Sequence, residues 1–196
     1  MKLLRPALAT FLLFVGLSVL AQGPRASNAV AVPPASKVLS GAEAQAKAEG
    51  KNVLVIFHAS WCGWCKRLDK FMSDPKIKPI FDDNFVTAKL TVQEDDAHKA
   101  DENAGGLDVM DQLGGQKAGL PLFAILDPSG KTIITSMRPV DGKPEGENTG
   151  YPAATEEIDH FLTMMQKGAP KVTPDQIAAM KTYLTAAAAA LKSAGH

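Results

Sequence analysis

The chain has 196 residues, 45% of them apolar and 21% charged, with 21 basic side chains set against 21 acidic ones. That length carries one domain with a proper core and an appendage, and the even charge balance leaves no net field to hold nucleic acid or an anionic membrane. Nucleic-acid binding is set aside on that ground. A disulfide-stapled secreted scaffold is a poor explanation as well, because the chain holds only two cysteines.

Lys2 and Arg5 form a short positive region, and residues 7–20 are apolar apart from Thr10, Gly16 and Ser18. Val19-Leu20-Ala21 follows as a cleavage pattern, with Ala29-Val30-Ala31 as a second candidate. Residues 1–21 therefore read as an export signal. An uncleaved anchor is the alternative, but a spanning helix takes ~20 strongly apolar residues, and this run is shorter and interrupted. No stable membrane insertion is expected after cleavage. Residues 22–37 lack periodicity, contain Pro24, Pro33 and Pro34, and read as a linker.

Residues 40–49, rich in Ala, Glu, Gln and Lys, predict a short helix ended by Gly50. Val53-Leu54-Val55-Ile56-Phe57 is a continuous apolar run, the pattern of a strand buried on both faces. Residues 60–65 turn the chain, and residues 65–72 show helical spacing at Leu68, Phe71 and Met72. Pro75 opens a second helical stretch toward Phe81, and residues 85–92 are the next strand. A short helix is predicted over 107–113, a strand over 122–126, a turn at Asp127-Pro128-Ser129-Gly130 and a hairpin partner over 132–136.

The stretch 138–152 is rich in glycine and proline and reads as an irregular loop. Residues 153–167 form a helix with Ile158, Phe161, Leu162 and Met165 on one face. A last helix starts after Thr173, with Pro174 in its first position and Gln176 completing a capping box. Its Ile177, Met180, Leu184 and Leu191 recur at helical spacing and predict docking on the domain. Strand, helix, strand, hairpin and helix in that order imply an α/β layer fold with a mixed sheet.

The chemistry concentrates at Trp61-Cys62-Gly63-Trp64-Cys65, where the two cysteines stand three positions apart. A bridge between them closes too small a loop to add much stability. A cysteine in the first turn of a helix meets unpaired N–H groups and the positive end of the dipole, which favour its thiolate. Cys62 has that place and is the expected nucleophile, while Cys65, one turn on, can displace the mixed disulfide. Lys66 and Arg67 add positive charge, and Trp61 and Trp64 offer apolar surface beside the nucleophile.

The pair has other readings. Half a zinc site needs two more ligands, and His58 is close in sequence while His98, His160 and His196 are scattered. A copper carrier using His58, Cys62 and Cys65 stays open at this point. Covalent haem attachment would need histidine after Cys65, and Lys66 stands there. Two buried, inert cysteines suit the flanking Gly63 and tryptophans less well than an exposed turn does.

Residues 53–66 resemble the active-site segment of the thioredoxin superfamily, residues 86–92 its following strand, and residues 119–126 the segment that begins with its cis-proline. The three motifs together are far more specific than Cys-x-x-Cys alone, and Trp64 brings the chain near an exported branch with a Cys-Gly-Trp-Cys site. The resemblance implies an α/β thioredoxin-like fold, a mixed central sheet flanked by helices, over 38–168, with 169–196 as a C-terminal helical extension. It also implies a cis bond at Pro121 that leaves the backbone of Leu120 free for substrate, and substrate contacts at Trp61, Gly63 and Trp64.

From the same resemblance, Cys62 and Cys65 form a redox-active disulfide and act on protein thiols and disulfides in the cell envelope. The export signal at residues 1–21 makes the expected location periplasmic or secreted, and an upstream redox partner is needed if the protein acts as a reductase. No cofactor and no metal is called for, since the dithiol itself carries the electrons. One departure stands out. The buried acid that reductases of the family often hold before the motif is Ile56 here, although Lys89 matches the lysine that accompanies it. Lys89 and His58 are the proton-transfer candidates. A binding or chaperone module on the same scaffold, with residues 138–152 and the C-terminal helices as its contact surface, is the rival from another class.

Overall fold

The computed structural model describes residues 31–194. In chain order these form α1 (Ala35–Glu49), β1 (Asn52–His58), α2 (Gly63–Met72), α3 (Lys78–Asn84), β2 (Phe85–Thr91), a single 3-10 turn at Lys99–Asp101 and α4 (Gly106–Gln112). They continue with β3 (Leu122–Leu126), β4 (Thr132–Thr135), β5 (Met137–Val140), β6 (Lys143–Asn148), α5 (Thr155–Gly168) and α6 (Pro174–Ser193). The expected export signal lies outside the described residues. Among those that are described, no helix is long and apolar enough to cross a membrane.

The main sheet has the order β2-β1-β3-β4. β1 runs parallel to β2 and antiparallel to β3, which pairs antiparallel with β4. The apolar run of β1 alternates between two cores, as successive side chains of a strand must. Leu54 and Ile56, with Phe123 and Ile125 of β3, face a cluster closed by α2, α3, α5 and α6. Val53, Val55 and Phe57, with Leu122, Ala124 and Leu126, face the other side, where α1 and α4 lie. Covering both faces is why these strands carry no polar alternation.

Phe71 of α2 organises the first core, with the rings of Phe81, Phe161 and Tyr183 at 5.8, 5.7 and 5.1 Å. α6 joins that core through Met180, Leu184, Ala188 and Leu191, and Thr173 caps it with the predicted box. α5 packs close on β3 at Gly168, where an added Cβ would stand 2.5 Å from Ile125 Cδ1. Its first turn is held by Glu157, whose carboxylate accepts from the N–H groups of Ala153 and Ala154 at 2.9 and 2.8 Å.

Three sequence expectations need correction. α1 begins at Ala35 rather than Ser40, so residues 35–37 belong to the helix and not to the linker. A tertiary contact starts it early: Ala35 is fully buried and its N–H donates to Ala104 O at 2.9 Å, while Asn103 Nδ2 donates to Pro33 O at 2.8 Å. The stretch 138–152 is largely ordered as the hairpin β5–β6, turned at Asp141-Gly142 with Gly142 at φ +76°. Gly146, at φ +73°, lets β6 pass where a Cβ would meet Arg138 O at 2.6 Å, so glycine here permits a strand instead of breaking one. Finally α3 starts at Lys78, because residues 74–77 form a turn in which Asp74 O accepts from Ile77 and Lys78 N–H.

Candidate active site

β1 delivers the chain to a turn, Ala59-Ser60-Trp61, closed by a bond from Cys62 N–H to Ala59 O at 3.1 Å. Cys62 is the N-cap of α2, with extended backbone, and its Sγ accepts from Cys65 N–H at 3.1 Å. The sulfur itself therefore meets an orphan donor of the helix start, the role a Ser or Asp oxygen plays elsewhere. No acidic residue occupies the first turn of α2, so the helix dipole there is not offset. Cys62 and Cys65 are joined in a disulfide, with S–S 2.05 Å and Cα atoms 5.3 Å apart.

Both cysteines are nearly covered, at 2% and 4% exposure, while Trp61 and Trp64 stand out at 55% and 45%. The expectation of an exposed turn thus holds for Trp61, Gly63 and Trp64 and not for the cysteines. The sulfurs sink because they belong to the core beneath β1, with Phe57, Ala59 and Leu120. The tryptophans are held in different ways. Trp61 Nε1 donates to Gln93 O at 2.7 Å. Trp64 stacks on Tyr151 at 6.0 Å between centroids, and the Arg67 guanidinium lies 5.4 Å from the Trp64 ring centre.

The Leu120–Pro121 peptide bond is cis. Leu120 is 9% exposed and shares with Trp64 a cavity of about 230 Å³ that Thr149, Tyr151 and Glu157 complete. Asn148, at the end of β6, donates from Nδ2 to Gly119 O at 2.7 Å and to Pro121 O at 3.0 Å, bracketing that bond. Its Oδ1 accepts from Ser136 Oγ at 2.7 Å. The hairpin is therefore what supports the proline segment.

The proton-transfer candidates fall elsewhere. Lys89 projects from β2 to the exposed side, where its ammonium pairs with Asp69 of α2. Its register partner on β1 is the buried Ile56. His58, half-buried at the end of β1, has Nε2 3.4 Å from Thr91 Oγ1. Burial lowers its pKa, the Lys89 charge adds to the shift, and Asp69 and Glu94 oppose it. Among the described residues no group of three or more His, Cys, Asp or Glu side chains converges to hold a metal ion.

Glu94 and Asn148 are the residues that sequence reasoning missed. Glu94 is buried at 7% exposure, and its carboxylate accepts from both Ser60 N–H (2.6 Å) and Ser60 Oγ (2.7 Å), pinning the turn that presents Cys62. The residue before it, Gln93, takes φ +56°, a left-handed conformation uncommon outside glycine, and supplies the carbonyl that holds Trp61. The only sequence signal was an acidic run directly after a buried strand, which reads as a solvated loop.

A family described as thioredoxin-like matches residues 35–128. The chain is 32% identical over 84 residues to a protein disulfide-isomerase of Hordeum vulgare and 29% identical over 113 residues to the thiol:disulfide interchange protein DsbD of Salmonella typhi. It spans 14% and 18% of the length of these relatives. Among solved structures it is similar to a disulphide isomerase from Xylella fastidiosa Temecula1, with 26% identity and a TM-score of 0.43 over 57% of this chain and 77% of that one. The thioredoxin-like match runs from α1 through β3 and so takes in the capped cysteine pair and the cis Leu120–Pro121 bond, and over these residues the chain is similar to that family.

Proposed function

We propose that this protein is a thiol–disulfide oxidoreductase acting on protein substrates in the cell envelope. The observation that carries the reading is the placement of Cys62 Sγ at the N-cap of α2, accepting the Cys65 N–H, with Cys65 in bonding reach. In the reduced protein the Cys62 thiolate attacks one sulfur of a substrate disulfide. A mixed disulfide forms, and the second substrate sulfur leaves as a thiolate that takes up a proton. Cys65 then loses its proton and attacks Cys62 Sγ, which re-forms the Cys62–Cys65 bond and expels the first substrate sulfur, protonated in turn. Two electrons have passed from the protein dithiol to the substrate, and a dithiol partner must return them.

Water at the rim or His58 takes the Cys65 proton in this scheme, in place of the buried acid that Ile56 replaces, while the Lys89 ammonium, engaged by Asp69, has no lone pair to accept it. The cis bond at Pro121 leaves the backbone of Leu120 to the substrate strand, and Trp61, Gly63 and Trp64 form the surface on which it rests. The apolar run at residues 7–20, preceded by Lys2 and Arg5, supports the envelope location. The names of the relatives, an isomerase and an interchange protein, agree with exchange chemistry.

The test is a Cys65→Ser variant, which leaves the mixed disulfide without its resolving thiol. Non-reducing electrophoresis should show covalent adducts that dithiothreitol removes, and a Cys62→Ser variant should show none. A folded Cys65→Ser protein that traps nothing would end the proposal. Insulin turbidity under dithiothreitol separates the chaperone alternative, since an exchange catalyst hastens precipitation and a holding protein delays it.

A further inference from the structure

Two openings meet at Tyr151. One, of about 230 Å³, lies between Trp64, Leu120 and Thr149. The other, of about 340 Å³, runs between α2 and α6 along Arg67, Lys70, Tyr183 and Leu191. Tyr151 lines both, Trp64 stacks on its ring, and Arg67 lies over Trp64. The two openings thus adjoin at the Trp64–Tyr151 stack and are taken together as a groove that passes from Leu120 to the face between α2 and α6.

The groove has a definite chemistry. Its far half has an apolar floor of Tyr183, Ala187 and Leu191 and two cations at its edge, and no acidic residue lines it. Among the described residues neither Arg67 nor Lys70 takes part in an ion pair. Its near half holds Glu157, whose carboxylate accepts from the N–H groups of Ala153 and Ala154, and Thr149, 3% exposed, whose Oγ1 has no hydrogen-bond partner. Buried hydroxyls are as a rule paired, so this one marks a place that an incoming polar group completes. An apolar floor, unmatched positive charge and an orphan hydroxyl beside the redox pair are complementary to one kind of occupant, an extended peptide with a carboxylate side chain.

We propose that this groove selects, among protein disulfides, those whose reacting cysteine is flanked by a large apolar residue and then an acidic one. The carboxylate faces Arg67 and Lys70, the apolar side chain lies on Tyr183 and Leu191, and the backbone next to the cysteine bonds to Thr149 Oγ1. This rests on the exchange reading above and adds a substrate class to it.

The experiment uses the full chain and three disulfide peptides, acetylated and amidated, that differ only in Asp, Ser or Lys two positions from a Phe-flanked cysteine. Reduction is followed with dithiothreitol as recycling reductant. The Asp peptide should exceed the Lys peptide in kcat/KM by about ten-fold at low salt, through KM. The order should invert in Arg67→Glu/Lys70→Glu and flatten in Arg67→Gln/Lys70→Gln. Thr149→Val should raise KM by about three-fold for all three peptides and leave their order intact.

Equal rates in the unaltered protein, or an order that neither charge variant changes, overturn the proposal. A second arm measures fluorescence anisotropy of the labelled Asp peptide with serine in place of its cysteines, so that binding is read without exchange. Weaker binding by the charge variants supports the groove even if no peptide is reduced, in which case exchange alone has failed. Binding that the variants do not change sinks the groove even if exchange proceeds.

Discussion

The Cys62 sulfur caps the helix it begins, accepting the Cys65 N–H, and this is the place where a thiolate of the reduced protein would meet unpaired donors. That sulfur is held in place from outside the motif. Glu94 satisfies both the N–H and the hydroxyl of Ser60, two residues earlier. Glu94→Ala leaves a part-buried N–H without its acceptor and should cost about 1–3 kcal/mol, read as a lower urea midpoint. Glu94→Gln keeps a carbonyl oxygen for the N–H while the hydroxyl can rotate, so most of the loss should be recovered. Equal losses in the two variants would show that the hydrogen bonds are not what matters.

His58 gives a pH signature with a definite sign. The unfolded imidazole takes up its proton near the ordinary value of 6.5, while burial and the Lys89 charge keep the folded one neutral to lower pH. The unfolded state then binds more protons, so the contribution of His58 is complete above 6.5 and is lost as pH falls below it. Exposed His98 works in the opposite sense, because Asp95 raises its pKa and its contribution is lost as pH rises through the folded value. The measurement is therefore a difference. Between pH 7 and 5 the melting temperature of His58→Gln should fall less than that of the unaltered protein, and parallel curves would contradict the assignment.

At the scale of elements, fit decides more than propensity. Gly168 in the last turn of α5 is an unfavourable helix residue, yet a methyl there would press on Ile125 from Cβ to Cδ1. Gly168→Ala should therefore destabilise by about 1–3 kcal/mol through overpacking, against the gain that alanine gives an exposed helix. A higher melting temperature would mean that β3 yields more easily than its buried position suggests. The hairpin β5–β6 matters in the same way, since Asn148 is carried by it to the carbonyls on either side of Leu120–Pro121.

At the scale of the molecule, α6 is part of the first core. Met180 and Leu184 are fully buried there and Leu191 nearly so, and each such side chain contributes roughly 1.5–3 kcal/mol by burial. Their sum is comparable to the roughly 5–15 kcal/mol that holds an ordinary domain together. A chain ending at Val172 should therefore lose its cooperative thermal transition by near-UV circular dichroism. Retention of a sharp transition would show that α6 only rests on a domain able to stand without it.

Read alone, the sequence determined whatever depends on neighbours along the chain. The apolar run of β1, the cap and box of α6, the glycine after α1 and the cysteines one turn apart are local patterns, and each became the element or junction it predicted. The tertiary structure decided whatever depends on a partner far away. Ala104 starts α1 early, Glu94 reaches across 34 positions to Ser60, and Asn148 spans 27 to Pro121. The cover over the sulfurs likewise comes from Leu120 and the core beneath β1. Periodicity and capping record local energies, whereas a hydrogen bond between distant segments leaves no mark on either one until the sheet brings them together.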